Sequence, residues 1–259
     1  MSSRPKRELG QHWLVDENIL HVIGRLAELG ADDVVLEIGP GLGVLTAHLA
    51  DRVHLVHAIE LDRSLEPALA ERLAGRDNVE LVFGDALDLL HSQFEPPARK
   101  LVANLPYNVA TPIVMESLAA LTTIELWCVM VQREVAERFF ASPGTKDYGA
   151  VSVVLQLATE RTGFHPVART CFRPPPNVDS ALVAFRRKRP WDAELESVRR
   201  LAQAAFAHRR KTLANSLELA GLSGREQVVA AAAELGRPAG VRAEELAPEE
   251  FLRLAELIA

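Results

Sequence analysis

The chain passes from an apolar run into a glycine-rich turn at Val34-Val35-Leu36-Glu37-Ile38-Gly39-Pro40-Gly41-Leu42-Gly43. The first five residues are nearly all apolar and rich in β-branched side chains, which is typical of a buried parallel strand. After the turn, Leu42, Leu45 and Leu49 recur at the spacing of one helix face. A strand that turns through glycines into a helix opens a doubly wound α/β sheet, and this is the fold class that we predict.

Further strands of this kind each deliver a glycine or a polar residue. Apolar runs at residues 53–59 and 79–83 resemble the first strand, and a fourth run begins at Leu101. The carboxyl ends of parallel strands meet at the edge of the sheet where ligands bind, so we expect one pocket there. The residues at these strand ends are Gly39, Gly41, Glu60, Asp85 and Asn104.

The spacing of these residues indicates the class of ligand. Glu60 follows the glycine loop by about 20 residues, where a carboxylate accepts hydrogen bonds from ribose hydroxyls. The loop reads G-x-G-x-G rather than G-x-G-x-x-G, which disfavours a pyrophosphate cofactor. S-adenosylmethionine has an amino-acid end, a ribose and an adenine but no phosphate, so we predict it as the ligand. Its adenine would lie near Asp85 and its sulfonium near Asn104. A glycine loop that serves only as a turn is the alternative.

The fourth strand ends in Asn104-Leu105-Pro106-Tyr107, which suits an amine substrate. Pro106 fixes the turn and has no N–H to donate. The side-chain oxygen of Asn104 and the carbonyl of Leu105 are therefore candidate acceptors for the hydrogens of an exocyclic amine. Tyr107 offers a flat face for an adenine taken out of its stack. A tight turn with no chemical role is the alternative for this tetrapeptide taken alone.

Several stretches together resemble the KsgA/RsmA-type small-subunit (16S) rRNA adenine N6-dimethyltransferase family, nearly end to end. The last two stretches are the most selective. The matching stretches are Leu9-Gly10-Gln11-His12-Trp13-Leu14, Glu37 to Gly41, Ile59 to Asp62, Gly84-Asp85-Ala86, Asn104 to Tyr107, Phe172 to Ser180 and Ala205 to Leu213.

The resemblance implies roles for individual residues. Phe172 would be a second aromatic wall for the base, with packing beneath the proline run as its alternative. The family usually carries Asn-Phe where this chain has His12-Trp13. An imidazole still forms hydrogen bonds, and an indole keeps an aromatic wall. The implied donor-site residues are Gln11, His12, Leu14, Gly39, Gly41, Glu60, Asp85, Ala86 and Asn104. The implied catalytic residues are Asn104, Leu105, Pro106, Tyr107 and Phe172.

The resemblance also implies the reaction and the partner. Such an enzyme transfers methyl groups from S-adenosylmethionine to N6 of two adjacent adenosines near the 3′ end of small-subunit rRNA, during ribosome assembly. The substrate would be the rRNA of an immature subunit. Two alternatives stay open, namely a large-subunit rRNA adenine methyltransferase and an assembly factor that acts mainly by binding.

The charge distribution is consistent with an RNA partner on one face only. The net charge of the 259 residues is −6. Between residues 186 and 218, however, there are nine Lys or Arg residues and only four acidic ones. Among them, Arg209, Arg210 and Lys211 lie in a matching stretch and are the predicted RNA contacts. The N-terminal arm adds Arg4, Lys6 and Arg7.

The order of strand and helix patterns predicts two domains. Strand patterns continue to about residue 187, Pro190 marks a linker, and residues from Asp192 onward are wholly helical in pattern. We therefore predict an S-adenosylmethionine-binding methyltransferase domain at residues 1–187 and a helical RNA-binding domain at residues 188–259. The polar segment from Ser142 to Asp147 is predicted to be a loop beside the site.

Cysteine content and hydropathy indicate the compartment in which the protein works. The two cysteines, Cys128 and Cys171, show no metal-type spacing, so we expect reduced thiols, no metal and a cytoplasmic protein. No apolar run approaches the length of a membrane span, so we expect no membrane contact. A monomer is also expected.

Overall fold

A mixed β-sheet with flanking helices is the main feature of the computed structural model, which describes residues 11–258. Within that range, seven strands form this sheet and two short strands form a second one. The strands are β1 Trp13–Leu14, β2 Val34–Ile38, β3 Leu55–Glu60, β4 Val79–Phe83, β5 Lys100–Asn104, β6 Leu126–Gln132, β7 Thr159–Val167, β8 Phe172–Arg173 and β9 Ser180–Arg187.

Helices connect these strands and make up most of the chain after β9. They are α1 Glu17–Leu26, α2 Val44–Ala50, α3 Glu66–Arg72, α4 Ala86–Leu89, α5 Ala110–Ala120, α6 Arg133–Phe139, α7 Ala150–Ala158, α8 Ala193–Phe206, α9 Leu213–Leu219, α10 Arg225–Glu234 and α11 Pro248–Leu257.

The strand order of the large sheet is β4-β3-β2-β5-β6-β9-β7. Strands β2 to β6 pair in parallel, whereas β9 runs antiparallel to β6. The order reverses between β2 and β5, since β3 and β4 extend to one side and β6 to the other. Ligands bind at such a reversal in doubly wound sheets. The predicted α/β, Rossmann-like fold is confirmed.

The central strands are buried on both faces, as their apolar sequences require. Every residue of β2 and β3 is buried, including Glu37 and Glu60. Trp127 of β6 is fully buried, stacks on Phe185 of β9 and donates its indole N–H to the hydroxyl of Ser117 at 2.9 Å. Because the indole N–H has a hydrogen-bond acceptor, this large aromatic side chain can fill the core without leaving a buried donor unpaired.

Several predicted boundaries shift by a few residues. The sequence predicts a helix from a cap at Asp16 to Leu29, and Asp16 does cap α1 by accepting from the Asn18 N–H at 2.9 Å. The helix ends earlier, at Leu26, and Glu28 just beyond it adopts a left-handed φ of 50°. The second strand begins at Leu55 rather than Val53. The pairing of β1 with β8, which joins Leu14 to Phe172, was not predicted.

Compact units, defined by contacts within the chain, differ from the predicted domains in one segment. The first unit contains the chain up to Ala136 together with Arg161–Arg187, and the second contains Glu137–Glu160 and the chain from Lys188 onward. The segment Glu137–Glu160 was predicted to belong to the N-terminal domain, whereas by contacts it groups with the C-terminal helices. The described part of the chain from Asp192 onward is helical, as predicted.

No helix within residues 11–258 has both the length and the apolar character needed to cross a bilayer. The described residues do not include the N-terminal arm with Arg4, Lys6 and Arg7. They also leave out Leu9 and Gly10, the first two residues of the matching stretch that runs to Leu14.

Candidate active site

One open pocket lies at the reversal between β2 and β5, in the first unit. Twelve of the predicted site residues line it, and Phe172 does not. The twelve are Gln11, His12, Leu14, Gly39, Gly41, Glu60, Asp85, Ala86, Asn104, Leu105, Pro106 and Tyr107. Their roles stay predictions, but the structure brings these residues together as the strand ends suggested.

The glycine loop needs glycine for both conformation and space. Gly39, Gly41 and Gly43 have φ values of 74°, 60° and 73°, in the left-handed region. A Cβ on Gly41 would also lie 3.1 Å from the Trp13 ring. The indole of Trp13 therefore packs directly on the loop, and a side chain at position 41 would push it away.

Glu60 is held in place by backbone N–H groups. Its two carboxylate oxygens accept from the Gly41 N–H at 3.0 Å and from the Asp62 N–H at 2.9 Å. Burial raises the pKa of Glu60, and these hydrogen bonds oppose that effect. Each carboxylate oxygen has a second lone pair, so ribose hydroxyls remain possible partners.

Glu37 is a pocket residue to which the sequence analysis gave no role. Its side chain is 1% exposed, and burial, followed by the nearby Glu60, raises its pKa from 4.5 to about 8. One of its carboxyl oxygens has no hydrogen-bond partner among the described residues. Thr46 beside it acts in the opposite direction and lowers the pKa. The available signal was an acidic residue within an otherwise apolar strand, because burying a carboxyl group is costly.

The far side of the pocket is formed by Asp85, Ala86 and the N-terminal segment. Asp85 is exposed and caps α4 by accepting from the Leu87 N–H at 2.9 Å with one oxygen. Gln11 donates to the carboxylate of Asp62 at 3.1 Å, which fixes the N-terminal segment beside the end of β3. Gln11, Asp85 and Ala86 are thus three further lining residues, of which Gln11 and Asp85 are polar.

Asn104 has a defined orientation. Its Nδ2 donates to the backbone carbonyl of His12 at 3.1 Å, so its Oδ1 is the atom left for a substrate. Leu105 uses its N–H to donate to the Met130 carbonyl at 3.0 Å, which anchors the turn to β6. The amide therefore presents an acceptor, as a substrate amine requires.

Tyr107 is held from two directions. Its hydroxyl shares a hydrogen bond with the Ser180 hydroxyl at 2.5 Å, and its ring stacks on His12 with centroids 5.6 Å apart. The Nδ1 of His12 lies 2.8 Å from the Pro174 carbonyl, which can only accept, so this nitrogen carries the proton. His12 thereby links the N-terminal segment to the proline run.

The structure does not place Phe172 at the site, which corrects its predicted position. Phe172 is 2% exposed and belongs to the hydrophobic core with Leu14 and Val167. The physical reason is the antiparallel pairing of β8 with β1, which fixes Phe172 opposite Leu14. In this structure its ring presents no face to a nucleobase, and the ring next to Tyr107 is that of His12.

The predicted RNA contacts lie in the second unit. Arg209, Arg210 and Lys211 are exposed in the turn between α8 and α9. Arg209 donates to the backbone carbonyl of Lys146 at 2.6 Å, and Gly144 donates to the carbonyl of Glu244 at 2.7 Å. The Ser142–Asp147 loop is therefore joined to the C-terminal helices by hydrogen bonds.

The pocket fits a cationic nucleoside ligand on its own features. The buried carboxylate of Glu60 favours a positive charge nearby, and Glu37 adds a buried carboxyl group with one unpartnered oxygen. The glycine loop provides close backbone approach without phosphate-binding spacing. S-adenosylmethionine has these properties. Among residues 11–258, no three His, Cys, Asp or Glu side chains are grouped so as to hold a metal ion.

Comparison with known proteins points to one family. The family described as "Ribosomal RNA adenine dimethylase" matches residues 2–259. "Ribosomal RNA small subunit methyltransferase A" of Rubrobacter xylanophilus is 45% identical, over 97% of this chain and 94% of the relative. The protein of that name from Moorella thermoacetica is 44% identical, over 98% of this chain and 92% of the relative.

Solved structures agree. A dimethyladenosine transferase from Plasmodium falciparum has a TM-score of 0.78 at 25% identity, covering 94% of this chain and 96% of that one. The 23S rRNA methyltransferase ErmE has a TM-score of 0.68 at 32% identity, covering 95% and 99%. The chain belongs to the ribosomal RNA adenine dimethylase family.

Proposed function

We propose that this chain transfers methyl groups from S-adenosylmethionine to N6 of two adjacent adenosines near the 3′ end of small-subunit rRNA. The observation that carries the proposal is the position of Asn104, which lines a pocket shared with the glycine loop and Glu60 and whose Nδ2 is already bonded to the His12 carbonyl. The relatives named for the small ribosomal subunit support the target. Immature subunits in the cytoplasm are the proposed partner and place of action.

Each donor-site residue is assigned to one part of S-adenosylmethionine, namely the ribose, the adenine or the amino-acid end. Glu60 would accept from the ribose hydroxyls, because its carboxylate is fixed by two backbone N–H groups at the end of β3. Asp85 has one oxygen outside its capping bond, which suits the exocyclic amine of an adenine. Gln11, His12 and Leu14 would close the amino-acid end.

The main task of the protein in this reaction is to orient the target amine towards the methyl group. S-adenosylmethionine supplies a methyl group that its sulfonium has already activated. Asn104 and the Leu105 carbonyl would accept the hydrogens of the target amine and hold its nitrogen as it becomes tetrahedral. No strong base is needed, because a weakly basic amine loses its proton only after the new bond forms.

Tyr107 would stack on the target base. Removing a base from its stack costs a few kcal/mol, and one aromatic face returns roughly 1–3 kcal/mol. The His12 ring covers one face of Tyr107 in this structure, so the base would take the other face or displace His12. Arg209, Arg210 and Lys211 would contact phosphates, where exposed cations contribute through counterion release.

The likeness to ErmE favours one second candidate, methylation of large-subunit rRNA. The test is incubation of the protein with immature small subunits, and separately with large subunits, in the presence of labelled donor. Mapping of the modified nucleosides should find dimethyladenosine at two adjacent positions of the small-subunit rRNA. Label confined to large subunits would replace the proposal with the second candidate. Tight binding to small subunits without label would leave an assembly factor that acts by binding.

A further inference from the structure

Residues 11–14 form a strap that is attached to three strand ends around the donor pocket. All four residues line that pocket. The carbonyl of His12 accepts from the Nδ2 of Asn104, at the end of β5, at 3.1 Å. The indole of Trp13 packs on the loop after β2, since a Cβ on Gly41 would lie 3.1 Å from it. Two neighbouring residues therefore join the strap to β5 and β2.

The third attachment is a hydrogen bond from Gln11 to the end of β3. The Nε2 of Gln11 donates to the Oδ2 of Asp62 at 3.1 Å, across 51 positions of the chain. Because a carboxylate only accepts hydrogen bonds, this contact determines which end of the Gln11 amide faces Asp62. The side chain of Gln11 is thus directed by a residue outside the strap.

Asp62 is a well-fixed partner for Gln11. It is buried, and its Oδ1 accepts from the N–H of Ser64 at 3.1 Å and from the Ser64 hydroxyl at 2.6 Å. Its own N–H donates to the carboxylate of Glu60 at 2.9 Å. The carboxylate that holds the strap therefore belongs to the same short segment that orients Glu60, the residue assigned to the ribose.

A ligand binds with full affinity only to the fraction of molecules whose pocket is in the binding-competent arrangement. We propose that Gln11 and Asp62 are a positioning pair for the methyl donor. Their hydrogen bond keeps the strap in place at the amino-acid end of S-adenosylmethionine, so that Gln11 acts through Asp62 and not through a contact of its own with the donor. This inference deepens the proposed function and rests on it.

The first test breaks the hydrogen bond between the pair. Gln11→Glu removes the donated hydrogen and sets a second carboxylate against that of Asp62. The affinity for S-adenosylmethionine, measured by calorimetry without rRNA, should fall by about tenfold, the scale for one hydrogen bond to a charged group. Gln93→Glu, at an exposed position of the first unit, is the matched control for the added charge. Equal donor affinity in the two variants would overturn the proposal.

The second test forms the same hydrogen bond in reverse. Asp62→Asn keeps an acceptor oxygen for Ser64 and turns the group that faces position 11 into a donor. Gln11→Glu combined with Asp62→Asn should therefore recover the original donor affinity to within about threefold, and both single variants complete a double-mutant cycle. If the combined variant binds donor no better than Gln11→Glu alone, Gln11 contacts the donor directly and the positioning pair is wrong.

Binding stoichiometry separates positioning from a structural role. The Gln11→Glu variant should still bind one donor molecule per chain, with lower affinity, because only the attachment of the strap has changed. A reduced number of sites at unchanged affinity would show a partly misfolded protein and would overturn the pair. Failure of the original protein to bind S-adenosylmethionine would overturn the proposed function as well. Normal donor binding by the original protein and by every variant would overturn the positioning pair alone.

Discussion

The hydroxyl oxygens of Tyr107 and Ser180 lie 2.5 Å apart, although the two residues are 73 positions apart in the chain. Ser180 is fully buried at the start of β9, where it pairs with Gln132 of β6. The sheet therefore holds the outer end of the Tyr107 ring, and the Pro106 turn holds its inner end. A stacking face fixed at both ends loses little entropy when a base docks on it.

Ser180→Ala should lower the rate of methyl transfer by roughly tenfold to a hundredfold, since small displacements of positioned groups have effects of that size. Donor affinity should not change. Tyr107→Phe removes the same hydrogen bond and keeps the ring, so it should give a similar loss. The double variant should be no slower than either single one, as measured by single-turnover kinetics. Strictly additive losses would show that the two hydroxyls act independently.

Asn104→Ala should keep donor binding and lose turnover by about 10²–10³, the scale for one transition-state hydrogen-bonding group. Asn104→Asp keeps an acceptor oxygen but replaces the Nδ2 donor that bonds the His12 carbonyl. It should also be slow, because the carboxylate is repelled from that carbonyl. Donor affinity by calorimetry and rates under saturating rRNA check both. Near-normal rates for the alanine variant would remove Asn104 from the mechanism.

Glu37→Gln should change how stability depends on pH. Because burial raises the pKa of Glu37 from 4.5 to about 8, the folded protein holds this proton more tightly than the unfolded chain does. The contribution to stability is fully present below pH 4.5 and is lost as pH rises through about 8. The glutamine variant should therefore gain stability relative to the original protein as the pH rises from about 4.5 to about 8, with no further gain above that, as measured by urea unfolding. Parallel pH profiles would show that Glu37 ionises normally.

Phe172→Ala should destabilise the first unit by about 3–5 kcal/mol, the usual cost of truncating a buried phenylalanine. The reason is its place in the core beside Leu14. Chemical denaturation measures this directly. If the variant unfolds at the original denaturant concentration yet no longer methylates rRNA, Phe172 acts on the base and the core assignment is wrong.

Arg209→Glu with Arg210→Glu should weaken binding to immature small subunits and reduce its salt dependence, with donor affinity unchanged. Both residues are exposed, so stability should change little. Arg253→Glu, on an exposed position of α11, is the control for net charge. Filter binding at several salt concentrations is the measurement. Unchanged affinity across that range would remove this turn from the RNA contacts.

Much of the pocket could be predicted because its residues follow uninterrupted apolar strands. Gly39, Glu60, Asp85 and Asn104 each come at or just after a strand end, and parallel pairing alone brings those ends together. The helical character of the chain after Asp192 was visible for a similar reason, since its pattern is local.

Features that depend on distant pairing could not be predicted. Strands β1 and β8 have two residues each, and nothing in either sequence indicates that Leu14 lies opposite Phe172. The environment of Glu37 depends on its burial in the folded sheet and on the nearby charge of Glu60, which lies on another strand. Likewise, the grouping of residues 137–160 with the C-terminal helices is set by contacts such as the hydrogen bond from Tyr148 to the Leu246 carbonyl at 2.9 Å.

The packing of Trp13 on the glycine loop gives the protein an optical reporter. The chain has three tryptophans, of which Trp127 is sealed in the sheet and Trp191 precedes α8. Trp13 touches the turn that any occupant of the pocket must approach. Indole emission follows the polarity around the ring, so replacing the other two tryptophans by phenylalanine would leave a fluorophore that responds to pocket occupancy without an added dye.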